Sequence, residues 1–273
     1  MEQAMEIWIP HSGEIRPSTP SHVEELQFTR RGYNPTAQDV LVVQLILEGL
    51  RLHALPHLPT ELALHILSLA AYEPRVVHRR TAAWEFCAND FMGPGLTASV
   101  AALYLTTPSL PRSCHHATWI TMQMRSADQG WADFGGNGTY HNSHTWFEVS
   151  ILRPVSAEPQ ERVESTLVET FRNPEDAEQA LHEQGWQMVE SNGRVTWLVH
   201  HNITARREWR NYRVDWEANE LIEMRDPPAM GDGEGFLDAL RPGDKIALWA
   251  RAEQIQWVNR VAEAVIEIGY DFR

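Results

Sequence analysis

From about residue 97 onward, apolar side chains recur at every second position, in short runs separated by Gly, Pro, Asn and Asp. A period of two sends successive side chains to opposite faces, so these runs read as half-buried strands. The pattern predicts strands over residues 99–106, 118–125, 145–152, 194–201, 212–217, 245–252 and 261–268. Ser191-Asn192-Gly193 supplies the turn chemistry for a hairpin between 186–190 and 194–201. Before residue 97 the period is helical. Val40, Val43, Leu47 and Leu50 follow the start signal Asn34-Pro35-Thr36 and predict a helix to about Leu52. A second helix is predicted in LPTELALHILSLAAYEP, residues 58–74, with Pro59 and Thr60 at its start and Pro74 beyond its end.

Residues 1–35 carry Pro, Ser and charge without a sustained period and read as an extended arm. An acidic excursion over 153–186 interrupts the strands, and its Asn173-Pro174 start predicts a short helix ending at Gly185. Seven or more strands with one long crossover predict a mainly β fold. The expected architecture is an antiparallel β-sandwich of jelly-roll type with a small N-terminal α-helical unit and a helical insertion. The chain is accordingly divided into an arm (1–35), a helical unit (36–95) and a β domain (96–273) carrying the acidic insertion.

Strand parity assigns faces. Thr145, Phe147, Val149 and Ile151 form one core face, which turns His144, Trp146, Glu148 and Ser150 the other way. Ile246, Leu248, Ala250 and Ala252 oppose Lys245, Trp249 and Arg251, and Ile120, Met122 and Met124 oppose Trp119, Gln123 and Arg125. An indole beside charged or amide groups on a non-core face is what a ligand platform requires, which makes Trp119, Trp146 and Trp249 an expected shared binding face. The competing reading is that the helices or the excursion cover this face and the indoles are ordinary packing.

Composition narrows the partners. Acidic residues outnumber basic ones by 37 to 23, and the net charge of −14 opposes phosphate backbones and anionic lipid. Neither nucleic acid nor a membrane is therefore an expected partner. The most apolar run, VLVVQLIL, is far short of the ~20 residues that cross a bilayer. The N-terminus has acids and an early proline where a secretory signal needs a basic end and an apolar run, so a cytoplasmic or nuclear location is expected. Cys87 and Cys114 form no Cys-x-x-Cys pair, and no nucleotide, hydrolase or zincin motif occurs, so no cofactor is expected. His141, His144 and Glu148 form H-x2-H-x3-E, which departs from the H-x-H of metal-binding jelly rolls. A three-residue offset on a strand sends the two imidazoles to opposite faces.

Four segments, RSADQGW (125–131), GTYHNSHTWFEVSI (138–151), LVHHNITARREWRNYRVDW (198–216) and RPGDKIALWARAEQIQWVNRVAEAVIEI (241–268), resemble a group of largely uncharacterised fungal proteins that share a β domain. LPTELALHILSLAAYEP likewise resembles the opening helix of an F-box, with RVVHRRTAAWEFCANDF (75–91) loosely suggesting a further helix. The resemblance supplies no established activity; by fold-level analogy with F-box proteins that join their helices to jelly-roll recognition domains, a non-enzymatic recognition or adaptor protein is expected. Its expected partners are a protein segment or a glycan on the β domain and a Skp1-type adaptor on the helices. The ligand-binding residues expected are Asp128, Gln129, Trp131, Tyr140, Trp146, Glu148, Asn202, Arg206, Trp249 and Arg251. Trp131, Tyr140, Trp146 and Trp249 would be apolar platforms and the remainder polar orienters. For Asp128, Gln129, Trp131 and Asn202 the alternative is loop pinning through side-chain to backbone hydrogen bonds. The rival functional classes are a metal-dependent jelly-roll enzyme using His141, His144 and Glu148, and an interaction module without an adaptor role.

Overall fold

The structure, a computed structural model, describes residues 13–18, 25–29, 33–49, 58–89, 98–133, 135–218 and 229–272. Two antiparallel sheets face one another. Sheet A contains β1 (Gly13–Pro17), β2 (Arg75–Arg80), β3 (Trp84–Ala88), β5 (His116–Ala127), β10 (Arg210–Glu217) and β12 (Val258–Asp271). Sheet B contains β4 (Ser99–Thr106), β6 (Thr145–Pro154), β7 (Thr170–Phe171), β8 (Trp186–Met188), β9 (Trp197–His201) and β11 (Lys245–Glu253). The order β3-β12-β5-β10 in one sheet stands against β4-β11-β6, with β9 on the free edge of β6, in the other. Successive strands thus wind between the layers as two Greek keys, and the domain is a jelly roll.

The predicted core faces meet between the sheets. Ile120, Met122 and Met124 of β5 lie with Phe147, Val149 and Ile151 of β6 and with Ile246, Leu248 and Ala250 of β11 in one buried cluster. Burying such side chains contributes about 1.5–3 kcal/mol each, and register is correspondingly well specified, because a one-residue slip would expose a whole face.

Residues 75–88 depart from the expected helical unit. They form β2 and β3 instead, while 90–91 lie outside the described residues. The reason is β12. At 14 residues it is long enough to pair with β3 through Val258–Val261 and then with β2 through Ala264–Gly269 along the same edge. β1 adds beyond β3, so part of the expected arm is an edge strand. The expected hairpin at Ser191–Gly193 reduces to one bridge, Ser191 to Arg194, with Asn192 and Gly193 both at positive φ. β8 and β9 pair in succession with β6 rather than with each other.

The helical unit contains α1 (Ala37–Leu47), opened by a Thr36–Asp39 capping box, and α2 (Thr60–Leu69). The first helix ends at Leu47, short of the predicted Leu52: Glu48 is its C-cap and Gly49 turns the chain at φ +82°, while residues 50–52 lie outside the described residues. The unit sits where β5 begins and β12 ends: Tyr270 N–H donates to the Pro74 carbonyl at 3.2 Å, and the Trp119 indole donates to Glu73 at 3.0 Å. Trp119 lies directly on Gly269, where any Cβ would collide with the indole.

The acidic insertion folds as α3 (Val163–Thr166), a 3-10 turn at Pro174–Ala177 and α4 (Glu178–Glu183). Its Val163, Leu167, Ala177 and Leu181 form a second apolar layer with Trp186, Leu103, Ala247 and Trp249 on the outer side of sheet B. Lys245, 1% exposed, is held there by Glu161 and the face of Trp186.

Candidate functional site

The expected shared face of three indoles does not form. Trp119 projects from sheet A, whereas Trp146 and Trp249 belong to sheet B. Parity says which residues of one strand share a side, but not which sheet the strand joins. Trp249 is sealed beneath the insertion, fully buried, with its indole nitrogen donating to Ser150 at 2.8 Å. Trp146 is half-buried. It lies between Arg251, whose guanidinium sits 4.9 Å from the indole centroid, and His201, 5.7 Å away, and its own N–H donates to Glu148 at 2.7 Å. Glu148 also accepts from Arg251 at 2.6 Å. Trp146, Glu148 and Arg251 therefore form a bonded unit beside the edge of the insertion.

What the structure does assemble is one end of the sandwich. The loops β5–β6 (128–144), β9–β10 (202–209) and β11–β12 (254–257) meet there, and main-chain bonds stitch the first two together. Gly138 N–H donates to the Thr204 carbonyl at 2.9 Å, Thr204 N–H to Thr139 at 2.8 Å, and Asp128 N–H to Arg206 at 3.0 Å. The third loop joins where Glu253 N–H donates to the His144 carbonyl at 2.8 Å.

Beneath the stitches lies a sealed polar layer. Asn202 receives the Ser126 hydroxyl at 2.6 Å and donates to Thr145 and to Asn259, each at 3.0 Å. Asn259 in turn donates to the Trp146 and Arg251 carbonyls. Asp128, Asn202, Asn259, Ser126 and Thr145 are all fully buried. Asp128 accepts from the N–H groups of Gln129 (2.8 Å) and Ala205 (2.6 Å) and from the Thr145 hydroxyl. Burial nevertheless pushes its pKa up to about 7, against the pull of those bonds. On the same flank, burial lowers His201 to about 4, assisted by the neighbouring His200 and His144.

The Asp-Gln-Gly-Trp stretch is legible in this light. Asp128 ties the loop to Ala205, and the Gln129 amide bridges the Trp131 carbonyl and Val258 N–H. Gly130, at φ +101°, leaves space for Arg207, whose aliphatic stem a Cβ would strike. Trp131 is then delivered outward, 42% exposed and tilted against Trp257, which also carries His144 edge-on at 4.8 Å. Ile255 stands 50% exposed on the adjacent loop, Tyr140 is half-buried against His200, and Arg206 is exposed beside Gly138. Asn142, Ala205, Gln254 and Gln256 all adopt positive φ, so left-handed backbone gathers in these loops.

The ten expected ligand residues thus divide by position. Trp131, Tyr140 and Arg206 reach the loop-end surface; Trp146, Glu148 and Arg251 form the flanking unit. Asp128, Gln129 and Asn202 act as pins, and Trp249 is core. Ile255, Trp257, Arg207 and Asn259 were not singled out by sequence, although Ile255, Trp257 and Asn259 lie within the segment 241–268 and Arg207 within the segment 198–216, both of which already stood out. His141, His144 and Glu148 do not converge. His141 is exposed, His144 leans on Trp257 and Glu148 bonds Arg251; among the described residues no cluster of three or more His, Cys, Asp or Glu could hold a metal ion.

The chain matches no protein-family model and no curated protein. Among solved structures, the crystal structure of decameric BFDV capsid protein is similar over 73% of this chain and 98% of that chain, at 11% identity and a TM-score of 0.24. That likeness is too distant to bear on function, and the fold class rests on the strand order itself.

Proposed function

We propose that the protein is a non-enzymatic recognition protein whose jelly roll binds a protein segment or glycan at its loop end, through Trp131, Ile255, Tyr140 and Arg206. The observation that carries this reading is the fully buried Asp128–Asn202–Asn259 layer beneath exposed Trp131 and Ile255. A bonded polar layer stiffens the loops, and stiff loops bearing an aromatic anchor lose little entropy on binding. The test is a glycan and peptide array probed with the protein and with Trp131→Ala and Trp249→Ala variants. Binding that survives Trp131→Ala unchanged would reject the loop end as the site.

The adaptor reading has its own support in α2. Ala63 and Leu67 are buried, while Leu62, Ile66 and Leu69 stand 50%, 40% and 75% exposed at spacings of four and three residues. This is an apolar stripe on one helix face, the arrangement a Skp1-type partner would cover. An interaction module without this second contact is the alternative, and co-purification with and without Ile66→Asp separates the two.

A further inference from the structure

The outer face of sheet A is chemically unusual. β12 directs Glu263 and Glu267 outward and β5 directs Gln123 and Arg125, all of them buried, beside Arg79 of β2 at 24% exposure. Across them lies the segment 25–29. Leu26 N–H donates to Glu263 at 3.1 Å and Thr29 N–H to Glu267 at 2.6 Å, while Gln123 donates to the Gln27 carbonyl at 2.8 Å. Because Gln123 is paired with Val265 in the sheet register, the segment tracks β12 in the same direction, almost residue by residue. Arg79 bonds Glu263, reaches Glu25 at 3.3 Å and lies 5.8 Å from the centroid of the Phe28 ring.

The segment belongs to neither sheet. It is held on a face, by side chains gripping its main chain, and only Leu26 among its residues is buried. Among the described residues, one oxygen of the fully buried Glu267 meets no hydrogen-bond partner. Main-chain recognition of this kind is indifferent to which polypeptide supplies the N–H groups. Side-chain preference enters only at Leu26, which fills a buried position, and at Glu25 and Phe28, which meet Arg79.

We propose that this face is a docking groove for an extended peptide of another protein, with the pattern acidic, aliphatic, any, aromatic, and that residues 25–29 occupy it in cis. The proposal stands apart from the loop-end reading and shares no residue with it. An occupant tethered to its own groove competes at high effective concentration, so the intact protein binds such a peptide weakly and loosening the segment strengthens binding by the fraction of grooves set free.

The test uses the full chain and a fluorescent peptide of the sequence EELQFTR. Leu26→Asp and, separately, Thr29→Pro loosen the cis segment, the second by removing the N–H that meets Glu267. Each variant is expected to bind the peptide at least 10-fold more tightly than the parent does and more tightly than it binds a scrambled peptide. Adding Glu267→Lys should reverse the gain. Folded variants that bind no better than the parent overturn the proposal. Hydrogen exchange on the unaltered protein decides the matter without a variant: the Leu26 and Thr29 amides are expected to exchange at least 100-fold faster than those of β12, and exchange only with global unfolding overturns it. A dimer of the unaltered protein that is dispersed by EELQFTR would assign the groove to a second copy and equally overturn the assignment to a foreign peptide.

Discussion

Two groups, buried Asp128 and half-buried His201, are displaced in opposite directions, and their displacements act on stability with opposite sign. Asp128 rises from 3.8 to about 7, so the folded state holds a proton that the unfolded state releases, and its contribution is lost as pH rises from about 4 to 7. His201 falls from 6.5 to about 4, so its contribution is lost as pH drops from 6.5 to 4. Between pH 4 and 6.5 the two offset each other. Relative to the parent, Asp128→Asn is expected to become steadily less stable as pH falls through that window, by up to about 3 kcal/mol. His201→Gln is expected to tilt the other way. Urea melts across pH check both; parallel curves for parent and variants would show that neither group titrates where its burial places it. The burial that causes both displacements was not readable from sequence. Loop pinning by Asp128 was one of the two roles the sequence left open, but neither its full burial nor its partner Ala205, distant in the chain, could be read there.

At the scale of elements, alternation identified the inward residues of β5, β6 and β11 correctly, because a half-buried strand imposes a period of two on its own sequence. It could not identify what lies over the other face. The insertion between β6 and β8 covers Trp249 and stops short of Trp146, and that boundary depends on how Val163, Leu167 and Leu181 pack, which no periodicity in the strand itself encodes. β2 and β3 were missed for a related reason: five- and six-residue strands hold too few repeats to be told from the end of a helical unit. The covering of Trp249 yields a sharp contrast. Trp249→Ala should lower stability by about 3–5 kcal/mol through the cavity it leaves, with ligand binding by the folded fraction unchanged. Trp131→Ala should shift stability by less than about 0.5 kcal/mol and abolish binding at the loop end. Thermal melts and binding titrations of the same two preparations check it; a stable Trp249→Ala protein that has lost binding would return the ligand to the outer face of sheet B.

Across the whole molecule, two of the three proposed contact surfaces, the α2 stripe and the loop end, lie far apart. β5 begins at the helical unit, where Thr118 and Tyr270 line a cleft of about 280 Å³ with Leu64 and Leu67 of α2, and it ends at Ala127, immediately before the loop-end pins. A strand of 12 residues spans about 40 Å at about 3.3 Å per residue. The α2 stripe and Trp131 are therefore carried at opposite ends of one sheet, so the two proposed contacts would hold their partners apart. Effects on distant sites with no shared side chains add. Ile66→Asp is expected to remove association with a Skp1-type partner while leaving the loop-end ligand affinity within about 2-fold, and Trp131→Ala to do the reverse, with the double variant losing both independently. Titration of each partner in the presence and absence of the other checks this. If saturating one end changed affinity at the other by 10-fold or more, the sheet would not be a rigid spacer, and the two surfaces would have to be treated as one coupled site.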